Sequence, residues 1–529
     1  MNHHNLLLIQ MAKMGDILQT IPLMKGLRRI YPAAHLSVLM DNALVPSLGA
    51  LLPADECMGL DIQGLARAGR FYKDNLPEHY RYFSRALRSL EEKRYDTVLN
   101  INFSRITALL TAFLGTGDVK GYRLGPMREI MPTSPWLAYI LSVVHSRVVN
   151  RINLVDVFYR SVIRKGKGEG LMLALPGNND HQAFPSLIDE KLKGIGSLVA
   201  FQLGSKHLLR RWPTAKYAAL AKRLIEGCGA RIMLLGTNSE RGLGRAFISE
   251  LEKIQPDYAP SLIDLMGKTD IMQLATCLKK ADLLVTGDTG TMHLAAALDV
   301  PVLALFFGPA WAHETGPYGK GHRVIQVELS CGPCLEGEEC PNPICREAIG
   351  VELAFETALE MTTARSGHRL IGTGKGAGDN GKITVYESDM DGWGAFLRPL
   401  IPRALGAEDV FGIFYRDLGR RVCDRGYCPD VERLFSKVQA YAPPTRETLG
   451  MLGRIREVIR EQGIRSALAY NPALSRFLSP LAAFEDRLSH MKRTGWAAIK
   501  EMEGVLDTAP RLLEAFLGRI ADHGEDGKW

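Results

Sequence analysis

The turn at residues 287–290, Gly-Asp-Thr-Gly, has residue types suited to holding a phosphate group. An apolar run of strand length precedes it and small apolar residues at helical spacing follow it, which predicts a strand, a tight turn and a helix. The free N–H groups and positive dipole at a helix N-terminus attract phosphates, and Gly290 allows a close approach. A plain turn in which Asp288 or Thr289 caps the helix explains the same residues. The pattern therefore leaves a diphosphate site and an ordinary capped helix both open.

A second candidate is Asp16, which follows the apolar run 6–10 and opens a helix predicted from 16 to 31. Pro32 ends this helix, and the run 35–40 predicts the next strand, so the chain begins as a β-α-β unit with a parallel sheet. Asp16 either caps the helix or acts as a base. The second role fits its predicted place at the carboxyl edge of a parallel sheet, where open α/β domains bind ligands.

Four cysteines, Cys331, Cys334, Cys340 and Cys345, fall within fifteen residues. Four thiolates are a ligand set for a structural zinc ion or an iron–sulfur cluster. The second half lacks the Cys-x₂-Cys spacing of a zinc ribbon, so free thiols in a Pro/Gly-rich loop remain the alternative. The nine cysteines of the whole chain, an odd number without a signal segment, favour reduced thiols over a disulfide framework.

The composition is that of a globular protein with several domains. The chain has 529 residues, of which 46% are hydrophobic and 23% charged, and single cores rarely exceed about 250–300 residues. The net charge of +7 is too mild to indicate a nucleic-acid partner. The segment from Lys120 to Lys165, however, contains eight basic residues and only two acidic residues. Such a surplus suits an anionic ligand or membrane face, and a solvated basic surface is the alternative.

No targeting segment is evident in the sequence. The apolar run 5–9 is too short for a signal peptide, and the run 135–144 falls short of the roughly 20 residues that a spanning helix needs. We therefore expect a soluble, cytoplasmic protein.

Three domains and two linkers are predicted along the chain. The polar segment 178–196 separates residues 1–177 from a second region, 197–365, in which strands and helices alternate four or five times. The glycine-rich segment 366–381 lacks the spacing of a P-loop and is predicted to be a linker. Residues 382–529 begin with a short strand and then turn helical. Two tandem domains with parallel sheets leave a cleft between their sheet ends as the default ligand site.

Four sequence blocks occur in order along the first two domains: MGDILQTIP (14–22), RRWP (210–213), DLMGKT (264–269) and GDTGTMHLAAA (287–297). Together they resemble one enzyme family, the ADP-heptose:lipopolysaccharide heptosyltransferases of glycosyltransferase family nine. Each is weak alone, but their order and separation are specific, and the resemblance covers roughly residues 1–365. It implies two tandem Rossmann-like domains of the GT-B type, with an additional, mainly helical C-terminal domain of unknown role. The first domain would bind the acceptor and the second, which includes the Cys-rich loop 331–345, the nucleotide sugar.

The resemblance also implies an inverting sugar transfer without a catalytic metal, with Asp16 as the general base on the acceptor hydroxyl. The Thr289-Gly290-Thr291 amides and Arg210 would meet the charge of the departing nucleotide diphosphate. Asp288 would bind sugar hydroxyls and Glu240 would bind the ribose. His293 either faces the donor or forms its hydrogen bonds within the protein. The implied donor-binding set is Ser205, Arg210, Glu240, Asp288, Thr289, Gly290, Thr291 and His293.

The implied partners are a nucleotide-diphosphate sugar and an anionic lipopolysaccharide-core acceptor, and the localisation allows peripheral contact with the inner membrane face. The residues expected to bind the acceptor are Arg67, Arg70, Lys73, Arg123 and Arg128. The sequence departs from the family at residues 206–209, where phosphate-contacting Ser or Thr residues often occur. Another donor or acceptor on the same fold is therefore one alternative. A non-catalytic nucleotide-sugar binding or scaffold protein is the other.

Overall fold

The computed structural model describes most of the chain. It covers residues 4–61, 76–163, 168–175, 196–335, 339–362, 381–401, 403–423, 441–470, 475–493 and 500–525. The predicted linkers 178–196 and 366–381 lie almost wholly outside these residues, and so do Arg67, Arg70 and Lys73. The chain forms two compact units, Met1–Ala138 with Val155–Pro176, and Tyr139–Leu154 with Gly177–Trp529.

The first unit is built on a six-stranded sheet in the order β3-β2-β1-β4-β5-β6. All neighbours are parallel except β5 and β6. Apolar side chains of the central strands are fully buried, because helices cover the sheet; Leu7, Ile9 and Val98 have no exposed surface. The strands are Asn5–Ile9 (β1), His35–Asp41 (β2), Glu56–Leu60 (β3), Thr97–Asn100 (β4), Asp118–Leu124 (β5) and Ile130–Pro132 (β6).

The helix predicted from 16 to 31 is in fact two helices, Met14–Gln19 and Ile21–Ile30, which meet at Thr20. Pro22 lies in the first turn of the second helix, where its missing N–H costs nothing, and this explains why a new helix begins there. The other helices in this part of the chain are Val45–Leu48, Leu76–Glu91, Arg105–Phe113, Pro135–Val143 and Leu154–Val162.

The second unit is built on an eight-stranded sheet in the order β14-β13-β12-β11-β10-β7-β8-β9. Its strands run parallel from β9 to β12, and β13 and β14 are antiparallel. They are Leu198–Gln202 (β7), Arg231–Leu235 (β8), Leu262–Asp264 (β9), Leu283–Thr286 (β10), Val302–Phe306 (β11), Arg323–Leu329 (β12), Gly381–Met390 (β13) and Ala395–Pro399 (β14).

Helices cover this second sheet around a core that includes Phe201, Trp212, Tyr217 and Phe247. Trp212, part of the RRWP block, is 2% exposed and donates its indole N–H to the carbonyl of Ile349. Its role in the fold is therefore packing. The helices are Thr214–Cys228, Arg241–Ile254, Ile271–Lys280, Gly290–Ala297, Ala312–Thr315, Cys345–Ala348 and Val351–Thr362.

The described part of the C-terminal region contains four long helices, Ala407–Cys423, Arg446–Tyr470, Ser475–Arg493 and Lys500–Glu525. The predicted fold class, two Rossmann-like domains followed by a mainly helical portion, is thereby confirmed. Two details differ from the predicted boundaries. The strands β13 and β14 extend the second sheet, and Arg151 of the segment Tyr139–Leu154 pairs with Asp409 of the first long helix at 3.3 Å. Sequence periodicity identifies a strand but not the edge on which it pairs.

None of the helices in the described part of the chain is long and apolar enough to cross a membrane.

Candidate active site

Asp16 lies just past the carboxyl end of β1, in the first turn of the helix Met14–Gln19. It is not the N-cap, which is Lys13; instead Asp16 occupies the third helical position and its Oδ2 accepts the Lys13 N–H at 3.1 Å. The side chain is half-buried. At the same edge of the sheet the Asn102 amide, which follows β4, donates to the Gln10 side chain at 3.0 Å. The structure therefore puts Asp16 at the edge where open α/β domains bind ligands.

Thr289 is the N-cap of the helix Gly290–Ala297, which begins directly after β10. Its hydroxyl accepts the Met292 N–H at 3.3 Å and lies 3.0 Å from the hydroxyl of Thr286. The first N–H groups of a helix, here those of Gly290 and Thr291, have no acceptor within the helix. The strand, turn and helix expected from the sequence are all present, with Thr289 rather than Asp288 as the cap.

Asp288 is buried beside an arginine from another block of the sequence. Its Oδ2 lies 2.9 Å from Arg210 Nη1 and 3.4 Å from the hydroxyl of Thr315. The carboxylate is 8% exposed and the guanidinium 15%. A Cβ on Gly287 would stand 2.8 Å from the carbonyl oxygen of Arg210, so the two segments pack too closely for any larger residue. Arg210 and Asp288 are 78 positions apart in the sequence, and the fold of the intervening strands and helices brings them into one cluster.

Glu240 is held on the carboxyl side of β8 by its own turn. Its Oε2 accepts the N–H of Thr237 at 2.8 Å and the hydroxyl of the same residue at 3.0 Å, a capping box. The side-chain N–H of Gln202 donates to this carboxylate at 3.4 Å, and the Oε1 of Gln202 accepts the hydroxyl of Thr291 at 3.3 Å. A side chain on Gly204 would collide with Glu240. Hydrogen bonds therefore link Glu240 to the helix that carries Thr291.

Gln202 is the central residue of that link, but it was not among the residues predicted from the sequence. Its signal in the sequence is that it is the one polar residue of the strand β7 and stands at the carboxyl end of that strand. A buried amide must satisfy both its donors and its acceptor, so such a residue at the carboxyl end of a central strand is worth selecting.

Ser205 and His293 are both buried, at 7% and 4% exposure. The Ser205 carbonyl accepts the Arg211 guanidinium at 2.6 Å, which ties this loop to the RRWP block. Burial lowers the pKa of His293 to about 4, although the nearby Asp288 charge acts in the opposite direction. His293 is therefore neutral near pH 7 and does not supply a positive charge.

Two of the arginines expected to bind the acceptor, Arg123 and Arg128, lie exposed on the first unit. Arg147 of the basic stretch behaves differently. Its guanidinium is 14% exposed, pairs with Glu314 at 2.6 Å and donates to the carbonyl oxygens of Pro309 and Cys334. Arg147 is thus a structural residue of the second unit.

The four cysteines of the Cys-rich loop are free thiols. Burial raises the pKa of Cys345, and the nearby Cys340 and Cys331 raise it further. Within the ranges that the structure describes, which omit residues 336–338 of this loop, no group of three or more His, Cys, Asp or Glu side chains is arranged to hold a metal ion.

The two tandem Rossmann-like domains have the architecture of GT-B-type glycosyltransferases. Residues 83–344 match the family model described as "Glycosyltransferase family 9 (heptosyltransferase)". These residues belong to that family, and the chain is a glycosyltransferase. The non-catalytic alternative is thereby set aside.

Three similar proteins illustrate the relationship. The lipopolysaccharide heptosyltransferase 2 of Salmonella typhimurium is 26% identical over 61% of this chain and 88% of its own length. The lipopolysaccharide heptosyltransferase 1 of Pseudomonas aeruginosa is 25% identical over 62% of this chain and 86% of its own. A family 9 glycosyltransferase from Veillonella parvula has the same fold, with a TM-score of 0.54 at 18% identity, over 69% of this chain and 98% of its own.

Proposed function

We propose that this enzyme transfers heptose from ADP-heptose to a lipopolysaccharide-core acceptor, with inversion at the anomeric carbon and with Asp16 as the general base. The proposal is supported by the two curated relatives, whose names describe heptosyltransferases and which match along most of their length. The observation that carries it is the buried pair of Arg210 and Asp288 beside the capped N-terminus of the helix Gly290–Ala297. A positive side chain next to orphan helix amides suits a diphosphate.

Asp16 is assigned to the acceptor step. A sugar hydroxyl is a poor nucleophile, and removing its proton during attack contributes on the order of 10²–10⁴ in rate. The hydrogen bond from the Lys13 N–H orients the Asp16 carboxylate, since it fixes one of the two oxygens. The exposed Arg123 and Arg128 of the same unit would attract an anionic acceptor.

The leaving-group step is assigned to the second unit. Negative charge grows on the nucleotide diphosphate as the glycosidic bond breaks, and the amides of Gly290 and Thr291 would stabilise it together with Arg210. Asp288 orients the Arg210 guanidinium at 2.9 Å. No catalytic metal is needed in this scheme, because the arginine and the helix N-terminus supply the positive charge. Glu240 would accept the ribose hydroxyls, a role suited to a carboxylate that its capping box already holds in place.

The donor test is a transfer assay on the full chain with a Kdo–lipid A acceptor. It compares ADP-heptose with uridine- and guanosine-linked sugars. The proposal predicts product only, or far most rapidly, with ADP-heptose. Faster transfer from another nucleotide sugar would favour the alternative donor. The segment that motivates that alternative includes Leu208, which is 65% exposed where phosphate-contacting hydroxyls often occur in the family.

For the Cys-rich loop we propose a structural rather than a catalytic role, in which the thiolates of Cys331, Cys334, Cys340 and Cys345 are the candidate ligands of zinc or an iron–sulfur cluster. Cys331 and Cys340 both raise the pKa of Cys345, which supports the proposal, although the described residues do not place three of these thiols in a metal-binding arrangement. Elemental analysis of the purified chain tests it. A stoichiometric metal that Cys331→Ser and Cys345→Ser remove is the expected result, and a metal-free protein of full stability would contradict it.

A further inference from the structure

The helix Arg105–Phe113 of the first unit has an apolar face that is exposed to solvent. Its inner face packs Thr107, Ala108, Leu110 and Thr111 against the sheet. Four large apolar side chains are about half exposed: Phe103 (55%), just before the helix, and Ile106 (44%), Leu109 (48%) and Phe113 (47%) on its outer side. Ile106, Leu109 and Phe113 are three and four residues apart, so they form one stripe along the helix. A contiguous exposed stripe of this kind marks an interaction surface, whereas single exposed apolar residues do not.

A further exposed apolar residue lies in the turn that follows the neighbouring strand β5. Met127, in the turn between β5 and β6, is 83% exposed. The turn is held by hydrogen bonds from the Gly125 N–H to the carbonyl of Glu129 at 2.8 Å and from the Arg128 N–H to the carbonyl of Gly125 at 3.0 Å. The ring of Phe103 contacts that of Tyr122 in β5 edge to face, with centroids 5.1 Å apart. Met127 is therefore presented by a well-defined turn that follows the strand beside the stripe.

Exposed basic residues occur on the same helix, strand and turn as these apolar side chains. Arg105 begins the helix, Arg123 follows Tyr122 in β5, and Arg128 follows Met127; all three are exposed. Within the described residues none of the three has an ion-pair partner, whereas Lys120 on the same strand lies 3.6 Å from Asp118. An apolar stripe with arginines at its margin is complementary to a surface that is apolar inside and anionic outside.

The surface begins at the same sheet edge as Asp16. Asn102, immediately before Phe103, donates its side-chain amide to Gln10, which directly follows β1. The strands β1 and β4 are neighbours and parallel, so the chain leaves both of them at one edge. A lipid-linked acceptor whose sugar reaches Asp16 would therefore have its lipid end near the start of the stripe.

We propose that Phe103, Ile106, Leu109, Phe113 and Met127, with Arg105, Arg123 and Arg128 around them, dock the enzyme on an anionic lipid bilayer. The apolar side chains enter the boundary between headgroups and acyl chains, and the arginines contact the anionic headgroups. A protein partner would equally cover the apolar stripe but would not by itself require three unpaired arginines at its margin. The inference rests on the proposed function only in that a membrane-embedded acceptor gives the docking a purpose.

The test is flotation of the full chain with vesicles in the absence of any substrate. Vesicles of phosphatidylcholine alone are compared with vesicles made of equal amounts of phosphatidylcholine and phosphatidylglycerol. We expect binding to the anionic vesicles that weakens in high salt, because about 1 M salt shortens the screening length to about 3 Å. The variant Ile106→Ser/Leu109→Ser/Phe113→Ser should bind at least about tenfold more weakly, since membrane affinity scales with the apolar area inserted.

Matched controls separate the surface from general effects. Ile254→Ser removes an apolar side chain that is 39% exposed on the second unit, and it should bind vesicles as the wild type does. Arg105→Gln/Arg123→Gln/Arg128→Asn should lose the preference for anionic vesicles, whereas Lys253→Gln should keep it. A wild-type chain that binds no vesicles, or a triple serine variant that binds them fully, would overturn the proposal. The proposal would also be overturned if the wild-type chain formed a dimer in solution and the triple serine variant did not.

A second readout separates this inference from the proposed function. Transfer to a detergent-dispersed Kdo–lipid A acceptor does not depend on docking to a bilayer, so the triple serine variant should keep the wild-type rate there. Its rate on acceptor embedded in anionic vesicles should fall about tenfold, in step with its loss of binding. Vesicle binding by a wild-type chain that transfers no heptose would refute the function and leave the docking intact. Heptose transfer by a wild-type chain that does not bind vesicles would refute the docking and leave the proposed function intact.

Discussion

Asp16 in the first unit and Asp288 in the second both lie between a parallel strand and the start of the following helix, Asp16 in the first turn of its helix and Asp288 just before the N-cap. Their surroundings differ. Asp288 is 8% exposed and paired with Arg210, whereas Asp16 is half-buried and its Oδ2 is held by a backbone N–H. Asp288 is thus an anchor for the Arg210 guanidinium, whereas we propose Asp16 as the general base.

Under the proposed function, the same local arrangement would serve two kinds of chemistry. The second unit has a cluster in which the buried charges of Arg210 and Asp288 are paired. The first unit has the half-buried Asp16 carboxylate, which accepts the Lys13 N–H, and an exposed apolar face along the helix Arg105–Phe113. The four predictions below test this contrast, beginning with the largest expected effect.

Replacing the carboxylate of the first unit should stop chemistry but not donor binding. Asp16→Asn keeps the shape of the side chain and removes its basicity, so the transfer rate should fall by on the order of 10²–10⁴. Turnover and calorimetry with ADP on the same sample measure both quantities, and the affinity for ADP should remain at the wild-type value. Full turnover by this variant would show that Asp16 is not the base.

Removing the arginine of the second unit should harm both stability and binding. Arg210→Met leaves the buried Asp288 without its ion-pair partner, which costs on the order of 3–5 kcal/mol of unfolding free energy. Chemical denaturation measures this loss, and calorimetry should show weaker binding of ADP.

Arg147→Met is the matched control for that change, because Arg147 forms a similarly buried pair with Glu314 at 2.6 Å. It should lose comparable stability while ADP affinity stays close to the wild type. Equal losses of ADP affinity in the two variants would mean that Arg210 acts only through the fold.

Acid should destabilise the second unit through its buried histidines. Burial lowers the pKa of His293 to about 4 from the ordinary 6.5. The unfolded chain therefore binds a proton that the folded chain excludes as the pH falls below 6.5. The stabilising contribution of neutral His293 is complete above pH 6.5 and is lost between 6.5 and 4, with a slope of about 1.4 kcal/mol per pH unit at its steepest.

Denaturation of the wild type and of His293→Gln across this range checks the slope, which should be shallower in the variant. His322, whose pKa burial also lowers to about 4, provides a comparison away from the cluster. His322→Gln should flatten the profile similarly and leave ADP binding unchanged. Parallel profiles for the wild type and His293→Gln would contradict the burial argument.

The smallest effect is expected at the helix cap. Thr289→Ala removes the hydroxyl that accepts the Met292 N–H, and the loss of an N-cap costs about 1 kcal/mol. Asp270 caps the helix Ile271–Lys280 in the same way, so Asp270→Ala should cost a similar amount. Thermal denaturation measures both. Only Thr289→Ala should also reduce ADP affinity, because its helix N-terminus is the proposed diphosphate site; equal affinities in the two variants would argue against that assignment.

Much of the fold could be predicted from the sequence, because strand and helix periods are local. The strand before Gly287, a helix cap at Asp288 or Thr289 and the alternation of elements in both α/β regions followed from spacing; the structure selected Thr289 as the cap. The break at Thr20 was missed, since Pro22 fits the first turn of a helix as well as it interrupts one. The pairing of β13 with β12 was also missed, because a strand does not carry the identity of its neighbour in its own pattern.

The sequence by itself determined the family, the order of the elements and the candidate residues Asp16, Arg210 and Asp288. Only the tertiary structure decided which charges meet. It paired Arg210 with Asp288, turned Arg147 inward to Glu314 and left Arg123 and Arg128 exposed. It also left one face of the helix Arg105–Phe113 uncovered. The physical reason is that charge pairing and burial depend on distances between remote segments, whereas propensity and spacing act over a few residues.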